Sequence, residues 1–440
     1  MMTDKLFKKY NLIVGWAVFA VALLTYSLTV EPTVSFWDCG EYIATSAKLE
    51  VGHPPGAPFF QMMGAFIAAF APNTDKIALL VNYMSVLSSA FTVFFLYFII
   101  VNLAKKIALR SANTLSVAHT IAVMGSGVVG ALAYTFSDSF WFNAVEAEVY
   151  AMAMLFMSVM FWLGIKWTDS LHEPRGDRWL LLISLVVGLS FGVHFMALLT
   201  IPAIGMLYFF NSHYKKNVWN FLLANVVSIA VLLLIFKLIL PYTLAYFGYL
   251  EVYFVNSFGM PFNSGTIIAG LTLVAFFFFA LRYASQKKKV RLQTATLCLL
   301  FVFIGFSSWL MIPIRSNADT VINENSPTDA RLLLAYYNLE QYPETHLFYG
   351  PMYSDKYAGI DEDYPYQDAK PKYERDYTTG RYIIVNQYKN AQVASNRKQM
   401  GFLPRMWSPQ HAANYMKLTG QLDFKISEEA YQEPKLYQFL

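Results

Sequence analysis

Apolar residues fall along the chain in runs long enough to cross the roughly 30 Å of bilayer hydrocarbon, separated by short polar or basic stretches. The first run, 11–30 (NLIVGWAVFAVALLTYSLTV), is followed by 77–103, 117–136, 145–165, 218–240, 264–281 and 292–313. The stretch 179–210 holds 32 residues, too many for one untilted helix, and Gly192, His194 and Pro202 interrupt it. Basic residues decide how to read it. Lys and Arg cluster at Lys5/Lys8/Lys9, Lys105/Lys106/Arg110, Lys166/Arg175/Arg178, Lys215/Lys216 and Arg282/Lys287/Lys288/Lys289/Arg291, and cytoplasmic loops are the ones enriched in Lys and Arg. If 179–210 is a hairpin of two short helices, all five clusters share that side; as a single span it would put the last two outside. The pattern predicts an all-α polytopic membrane protein of about nine transmembrane helices, multi-pass, with its N-terminus in the cytoplasm.

The first run has an apolar core longer than the 7–15 residues usual for a signal peptide, and no small-x-small cleavage site follows it, so it is read as a retained anchor. On the outer face the first loop is long, 31–76, and ends in a 14-residue apolar piece too short to span. The second outer loop, about 137–144, runs into Glu146 and Glu148, and the third is the hairpin apex at His194.

Composition sharpens this division. Residues 1–313 carry 32 of the 62 Asp, Glu, Lys and Arg, while 314–440 carry the other 30, close to the roughly 25% charged of an ordinary soluble domain. The boundary is therefore expected near Pro313, with a transmembrane domain at 1–313 and a small extracytoplasmic C-terminal domain at 314–440. A net charge of +4 over 440 residues is no nucleic-acid footprint. The two cysteines, Cys39 and Cys298, cannot make a disulfide framework or a zinc ribbon.

In a region so poor in charge, ionisable groups at the outer membrane border are informative because placing them there is costly. Asp38 and Glu41 are spaced i, i+3 and would share one helix face; a carboxylate there is a candidate general base, or part of a solvated loop. Gly52-His53-Pro54-Pro55-Gly56 reads either as a connector or as a rigid turn holding His53 over a site, where an imidazolium could meet a phosphate. Glu146 and Glu148, at i, i+2 near the start of the fourth span, would lie on different helix faces, where the helix dipole alone could account for them. Arg315 lies at an outer border, against the positive-inside trend; it either snorkels or binds a phosphate. His194 reads as a packed core histidine. No P-loop, zinc motif or nucleophile elbow is present.

Four ordered motifs, WDCGEY, GHPPGAPFF, FWFNAVEAEVYA and PIRSNADTVINENSPTD, together resemble the bacterial membrane-protein family catalogued as domain of unknown function 2723. That family is grouped with the protein O-mannosyltransferase-like glycosyltransferases of the GT-C fold. The resemblance implies a GT-C-type helical bundle in a bacterial inner membrane. It implies transfer of a sugar, mannose or a similar hexose, from a polyprenyl-phosphate carrier to a hydroxyl acceptor on a protein Ser/Thr or a glycolipid. The reaction would run on the outer side with inversion. By the same resemblance Asp38 is the base, Glu41 supports it or holds the acceptor, and His53 lines the site. Arg315 would hold the carrier phosphate, and Glu148 or Glu146 would form a second acidic element. The resemblance implies no definite cofactor: some GT-C enzymes use a divalent cation and others none, and Asp38 with Glu148 is the pair that could bind one. Members of that branch usually continue further, which implies a truncated or shorter form here. Two other classes compete with this reading: a transporter, which would bind near the bilayer midplane with broken helices and inverted repeats, and a non-catalytic membrane scaffold.

Overall fold

The computed structural model describes residues 3–111 and 114–342 and, beyond these, 346, 348–352, 361, 363–396, 400–404, 406, 408 and 411–419. Helix α1 (Asp4–Thr29) is capped by Thr3, whose hydroxyl accepts from the Leu6 amide. Two short helices follow, α2 (Cys39–Lys48) and α3 (Pro58–Ala68), the second opened by a proline at its first turn, where the missing N–H costs nothing. Then come α4 (Ile77–Ser111), α5 (Val117–Thr135), α6 (Asp138–Ala144), α7 (Val149–Asp169), α8 (Arg178–Ser190) and α9 (Thr200–Asn211). Helix α10 (Val218–Leu233) runs through a π-helical segment into α11 (Leu240–Phe258), followed by α12 (Ser264–Gln286), α13 (Val290–Phe306), α14 (Met311–Ser316) and α15 (Ala330–Tyr337).

Among the described residues, seven helical stretches are long and apolar enough to cross a membrane: Asp4–Thr29, Thr74–Arg110, Val117–Thr135, Val149–Asp169, Val218–Phe258, Ser264–Gln286 and Val290–Ser316. The expected count of nine is corrected by the 179–210 stretch. It does form two short helices, but Arg178–Ser190 and Phe195–Asn211 rise only about 20 and 25 Å at 1.5 Å per residue, less than the hydrocarbon thickness. The break between them satisfies its backbone from neighbours. Trp309 Nε1 donates to the Phe191 carbonyl at 2.9 Å, and the Phe60 amide donates to the Gly192 carbonyl at 3.0 Å. Irregular backbone at such a depth is tolerated where protein surrounds it. A second correction concerns 137–144: most of this expected loop is helix α6, and helix α7 starts only at Val149, after both Glu146 and Glu148.

The chain divides into two compact units, 1–254 with 263–339, and 255–262 with 340–440. The division at 339/340 lies beyond the expected Pro313 because 314–339 packs into the first unit. Tyr336 and Tyr337 join the cluster of Phe191, Trp309 and Leu240. The Val51 amide donates to the Ile322 carbonyl at 3.0 Å, and the Glu324 amide to the Val51 carbonyl at 3.1 Å. The other cores of this unit are a cluster from α1, α4 and α5, with Tyr26 and Tyr97 fully buried, and one beneath α2 and α3 around Phe60, Met84 and Met152. Of the second unit, the structure describes three two-stranded antiparallel sheets: β1 (Tyr349–Pro351) with β6 (Met400–Phe402), β2 (Tyr366–Gln367) with β5 (Gln392–Val393), and β3 (Tyr373–Asp376) with β4 (Arg381–Ile384). Helix α16 (Ala412–Thr419) also belongs to it. Asn256 completes it, exchanging two 2.8 Å hydrogen bonds with the Tyr382 backbone.

The basic helix ends of the first unit gather at one end. Lys105 pairs with Asp4 at 3.3 Å and Lys106 with Asp169 at 2.6 Å, tying the end of α4 to the start of α1 and the end of α7. Thr294 on α13 donates to Asp177 before α8 at 3.0 Å, and the rings of His172 and His213 lie 4.9 Å apart. Where Gly188 of α8 meets Gly305 of α13 the two backbones touch directly. A Cβ on Gly188 would lie 2.1 Å from the Val302 carbonyl oxygen, and one on Gly305 would lie 2.5 Å from the Leu185 carbonyl oxygen. Small residues permit such close approach where lipid supplies no hydrophobic drive between helices. We expect Gly188→Ala or Gly305→Ala to cost about 1–3 kcal/mol by forcing the backbones apart. Thermal unfolding in detergent should show both midpoints falling, whereas Gly125→Ala, which has open space around its Cβ position, should leave the midpoint unchanged or higher.

Candidate functional site

At the end of the first unit opposite its basic helix termini, four helical segments begin around one small cavity. Its lining comes from the residues just before or at those starts: Asp38 before α2, Pro55 and Gly56 before α3, Glu148 and Tyr150 at α7, and His194 before the 3₁₀ turn Phe195–Leu199. Carboxylates at helix N-termini sit where the backbone dipole favours negative charge. The volume is about 110 Å³, well under the roughly 300 Å³ at which whole-ligand pockets begin, so the cavity suits the reacting end of a larger substrate.

Asp38 is the N-cap residue of α2 but makes no capping hydrogen bond, and its side chain is 57% exposed. Trp37 before it holds a left-handed backbone, φ 60°, and with Phe36 stands exposed beside the site. One turn along α2, Glu41 grips His53 twice. One carboxylate oxygen accepts from the His53 amide at 2.5 Å and the other meets Nδ1 at 2.8 Å. Because an ionised carboxylate only accepts, Nδ1 carries a proton and Nε2 faces Asp38, 3.8 Å from its Oδ2. That gap is too long for a direct hydrogen bond and leaves room for a substrate oxygen against both groups. The Glu41 bond is the main reason that the His53 pKa is raised above its ordinary 6.5, with the Glu41 and Asp38 charges adding to it against burial. For Glu41, burial pushes upward, but the His53 bonds and charge outweigh it and the net shift is down from 4.5.

Glu148 is buried, and burial together with the nearby Asp38 charge pushes its pKa up to about 7. The Cys39 thiol, itself raised by burial and by Glu146 and Glu148, lies 3.6 Å from Glu148 Oε1 and stays a protonated donor. Glu146 takes another course. It accepts from the Ser35 hydroxyl and is absent from the cavity lining, so it holds the loop between α1 and α2 in place. The expectation that both glutamates lie on faces of one helix is thus corrected.

Arg315 is not brought to the cavity. Its guanidinium donates to the Leu49 carbonyl at 2.6 Å and the Lys48 carbonyl at 3.3 Å, closing the C-terminal end of α2. Asp38 stands at the other end of that ten-residue helix, about 15 Å away at 1.5 Å per residue. The expected phosphate ligand is here a helix cap, its dipole sense matching a cation at a C-terminus.

Two residues were not singled out as site residues by the sequence. His194, read as core, lines the cavity; its place at the interruption of an apolar hairpin is the signal that marks it. Tyr336, fully buried, donates to the Gly52 carbonyl at 2.6 Å and also meets the His53 carbonyl at 3.1 Å. It packs under Gly56, whose φ of +77° suits glycine and where a Cβ would come 2.7 Å from the tyrosine oxygen. Asp38, Glu41 and His53 also offer ligand atoms within 4.8 Å of one another. Both Glu41 oxygens are already engaged on His53, so hydrogen bonding accounts for that pair, with Asp38 beside it.

The pair has a defined pH window. The raised His53 contributes stability that is full below pH 6.5 and is lost as pH rises through its folded-state value; the lowered Glu41 contributes above pH 4.5 and is lost as pH falls through its own. Glu41→Ala should therefore lower the His53 titration midpoint, read by NMR of labelled histidine and assigned with His53→Asn. The stability gap to wild type should be widest between about pH 4.5 and 6.5. An unmoved His53 titration would sink the pair.

Comparison with known proteins covers this same region. Residues 38–218 match the model of the protein O-mannosyl-transferase TMEM260 N-terminal domain, and residues 343–440 match a family of unknown function (DUF8416). The chain is 26% identical over 237 residues to a protein named protein O-mannosyl-transferase tmem260 from Dictyostelium discoideum, covering 51% of this chain and 26% of that protein. It is 25% identical over 154 residues to the Mus musculus protein O-mannosyl-transferase TMEM260, covering 35% and 19%. The chain thus spans about a quarter or less of the length of these relatives, both eukaryotic. No solved structure matches. Every residue lining the cavity lies within the matched span, Arg315 outside it, and over that span the chain is similar to the N-terminal domain of the TMEM260 protein O-mannosyl-transferases.

Proposed function

We propose that the chain is a GT-C-type glycosyltransferase that moves mannose or a similar hexose from a polyprenyl-phosphate carrier to a protein Ser/Thr hydroxyl. The observation that carries this reading is the placement of Asp38. It is an exposed carboxylate with no capping duty, beside a histidine held by Glu41, inside the span similar to the mannosyltransferase domain. Asp38 takes the proton of the acceptor hydroxyl as its oxygen bonds to the anomeric carbon. The bond from that carbon to the phosphate oxygen breaks, and its electron pair leaves with the polyprenyl phosphate. Attack and departure on opposite faces invert the centre, as in other glycosyl transfers. His53, cationic over the lower part of the pH range, faces the phosphate with its Nε2–H. Glu41 is the positioning residue behind it. Glu148, titrating near 7, exchanges hydrogen bonds with sugar hydroxyls in either protonation state. The aromatic rim of Phe36 and Trp37 offers apolar faces to the sugar.

The proposed location is a bacterial inner membrane, and the gathered basic ends support an orientation with Lys5, Lys105 and Lys166 on the cytoplasmic side and the cavity opening extracytoplasmically. There a carrier-bound sugar is presented at the membrane surface.

The test is sugar transfer from synthetic polyprenyl-phosphate-mannose to a Ser/Thr peptide, scored both as glycopeptide and as freed polyprenyl phosphate. Asp38→Asn should lower kcat by about 10²–10⁴-fold, the range for removing a general base, with an unchanged thermal midpoint. Transfer that survives in Asp38→Asn moves the base to Glu148. Absence of transfer by wild type across a panel of sugars would remove the reading in favour of a transporter or scaffold.

A further inference from the structure

Among the residues lining the cavity there is no lysine or arginine, and two carboxyl groups, Asp38 and Glu148, face whatever enters. A phosphate bound there has to find N–H or O–H donors, which the lining offers at Tyr42, His53, Tyr150 and His194. The last of these lies in the wall formed by Phe191, Val193, His194 and Phe195, at the break between α8 and the 3₁₀ turn. That wall is apolar except for one ring. His194 has an extended backbone, φ −160° and ψ 137°, and its Nδ1 accepts from the Met196 amide at 3.1 Å, so the side chain caps the turn that follows. An imidazole nitrogen that accepts from an amide has no proton of its own. The neutral ring must therefore carry its hydrogen on Nε2, and the tautomer is fixed by the backbone. The Tyr150 ring, 5.1 Å away centre to centre, stands against the ring of His194 and shares the same lining.

We infer that His194 is a substrate-binding residue whose Nε2–H donates to a phosphate oxygen of the lipid-linked donor, on the wall facing the apolar hairpin. This rests on the glycosyl-transfer reading and gives it a second phosphate donor beside His53. It also places the phosphate where the lipid chain meets apolar surface and the sugar reaches toward Asp38.

Asparagine and glutamine separate the two functions of the ring. Asn places its carbonyl where Nδ1 sits and keeps the cap on Met196 but has nothing at Nε2; Gln reaches the Nε2 position with an N–H and gives up the cap. Binding of polyprenyl phosphate in micelles is measured by calorimetry for wild type, His194→Asn and His194→Gln, with thermal midpoints in parallel. The expected result is an Asn variant with a wild-type midpoint and binding about tenfold or more weaker, the loss of one hydrogen bond to a charged group, and partial recovery in Gln. Should Asn lower the midpoint, Gln decides: retained binding supports the inference, and binding lost in Gln overturns it. Wild-type affinity in a folded Asn variant overturns the inference alone, leaving His194 as a helix cap and the transferase intact. A wild type that neither binds polyprenyl phosphate nor transfers sugar overturns both. Inorganic phosphate is run alongside; His194-dependent binding of both ligands supports a bare phosphate subsite, and of the lipid alone a subsite that reads phosphate together with its chain.

Discussion

The two-point grip of Glu41 on His53 is the contact on which the rest of the site depends. A single ring-to-carboxylate bond would leave the imidazole free to swing about its own side-chain torsions. The second bond, from the other carboxylate oxygen to the His53 amide, fixes the backbone of the turn as well as the ring. Glu41 is itself carried on a helix whose N-terminal end holds Asp38, so one rigid element sets both carboxylates relative to the histidine. That element places the Asp38 carboxylate within 3.8 Å of His53 Nε2. Catalytic groups gain from such preorganisation because no reorientation is needed during reaction.

The element is braced from far along the sequence. Arg315 closes the C-terminal end of α2, Ile322 and Glu324 exchange backbone hydrogen bonds with Val51, and Tyr336 holds the carbonyls of Gly52 and His53. The bonds to Gly52 and Val51 satisfy buried backbone groups, which are costly to leave unpaired away from water. The brace explains why 314–339 stays with the first unit despite its polar composition. Its charges are used locally: Arg331 pairs with Asp329 at 2.8 Å, and Asp329 caps α15.

Much of this was legible in the sequence because the membrane imposes simple rules. Run length and the placement of Lys and Arg predict the long helices and the broken hairpin, and Asp38, Glu41 and His53 stand out as polar residues at an apolar border. Arg315 stands out by the same rule, but charge placement says that a reason exists without saying which carbonyls provide it. His194 failed in the opposite direction: a histidine between apolar helices has the same sequence signature whether its ring is packed or lines a cavity. Glu146 and Glu148 were judged by helical spacing, which does not apply to residues that precede the first helical turn. These misses turn on contacts between residues more than a hundred positions apart, or on one residue's backbone conformation, and periodicity reports neither.

The brace also has a consequence for how the protein is made. Every residue lining the cavity has been synthesised by Phe195, yet the groups that close α2 and support the His53 turn arrive only with Arg315, Ile322 and Tyr336. Chains emerge at about 5–20 residues per second, so α2 and the His53 turn wait roughly ten seconds or more for the segment that locks them. A ribosome paused in the later helices would display the chemical groups of the site without their geometry. Assembly of the site is thereby tied to completion of the helical bundle, and an unfinished chain is kept from holding its reactive groups in register.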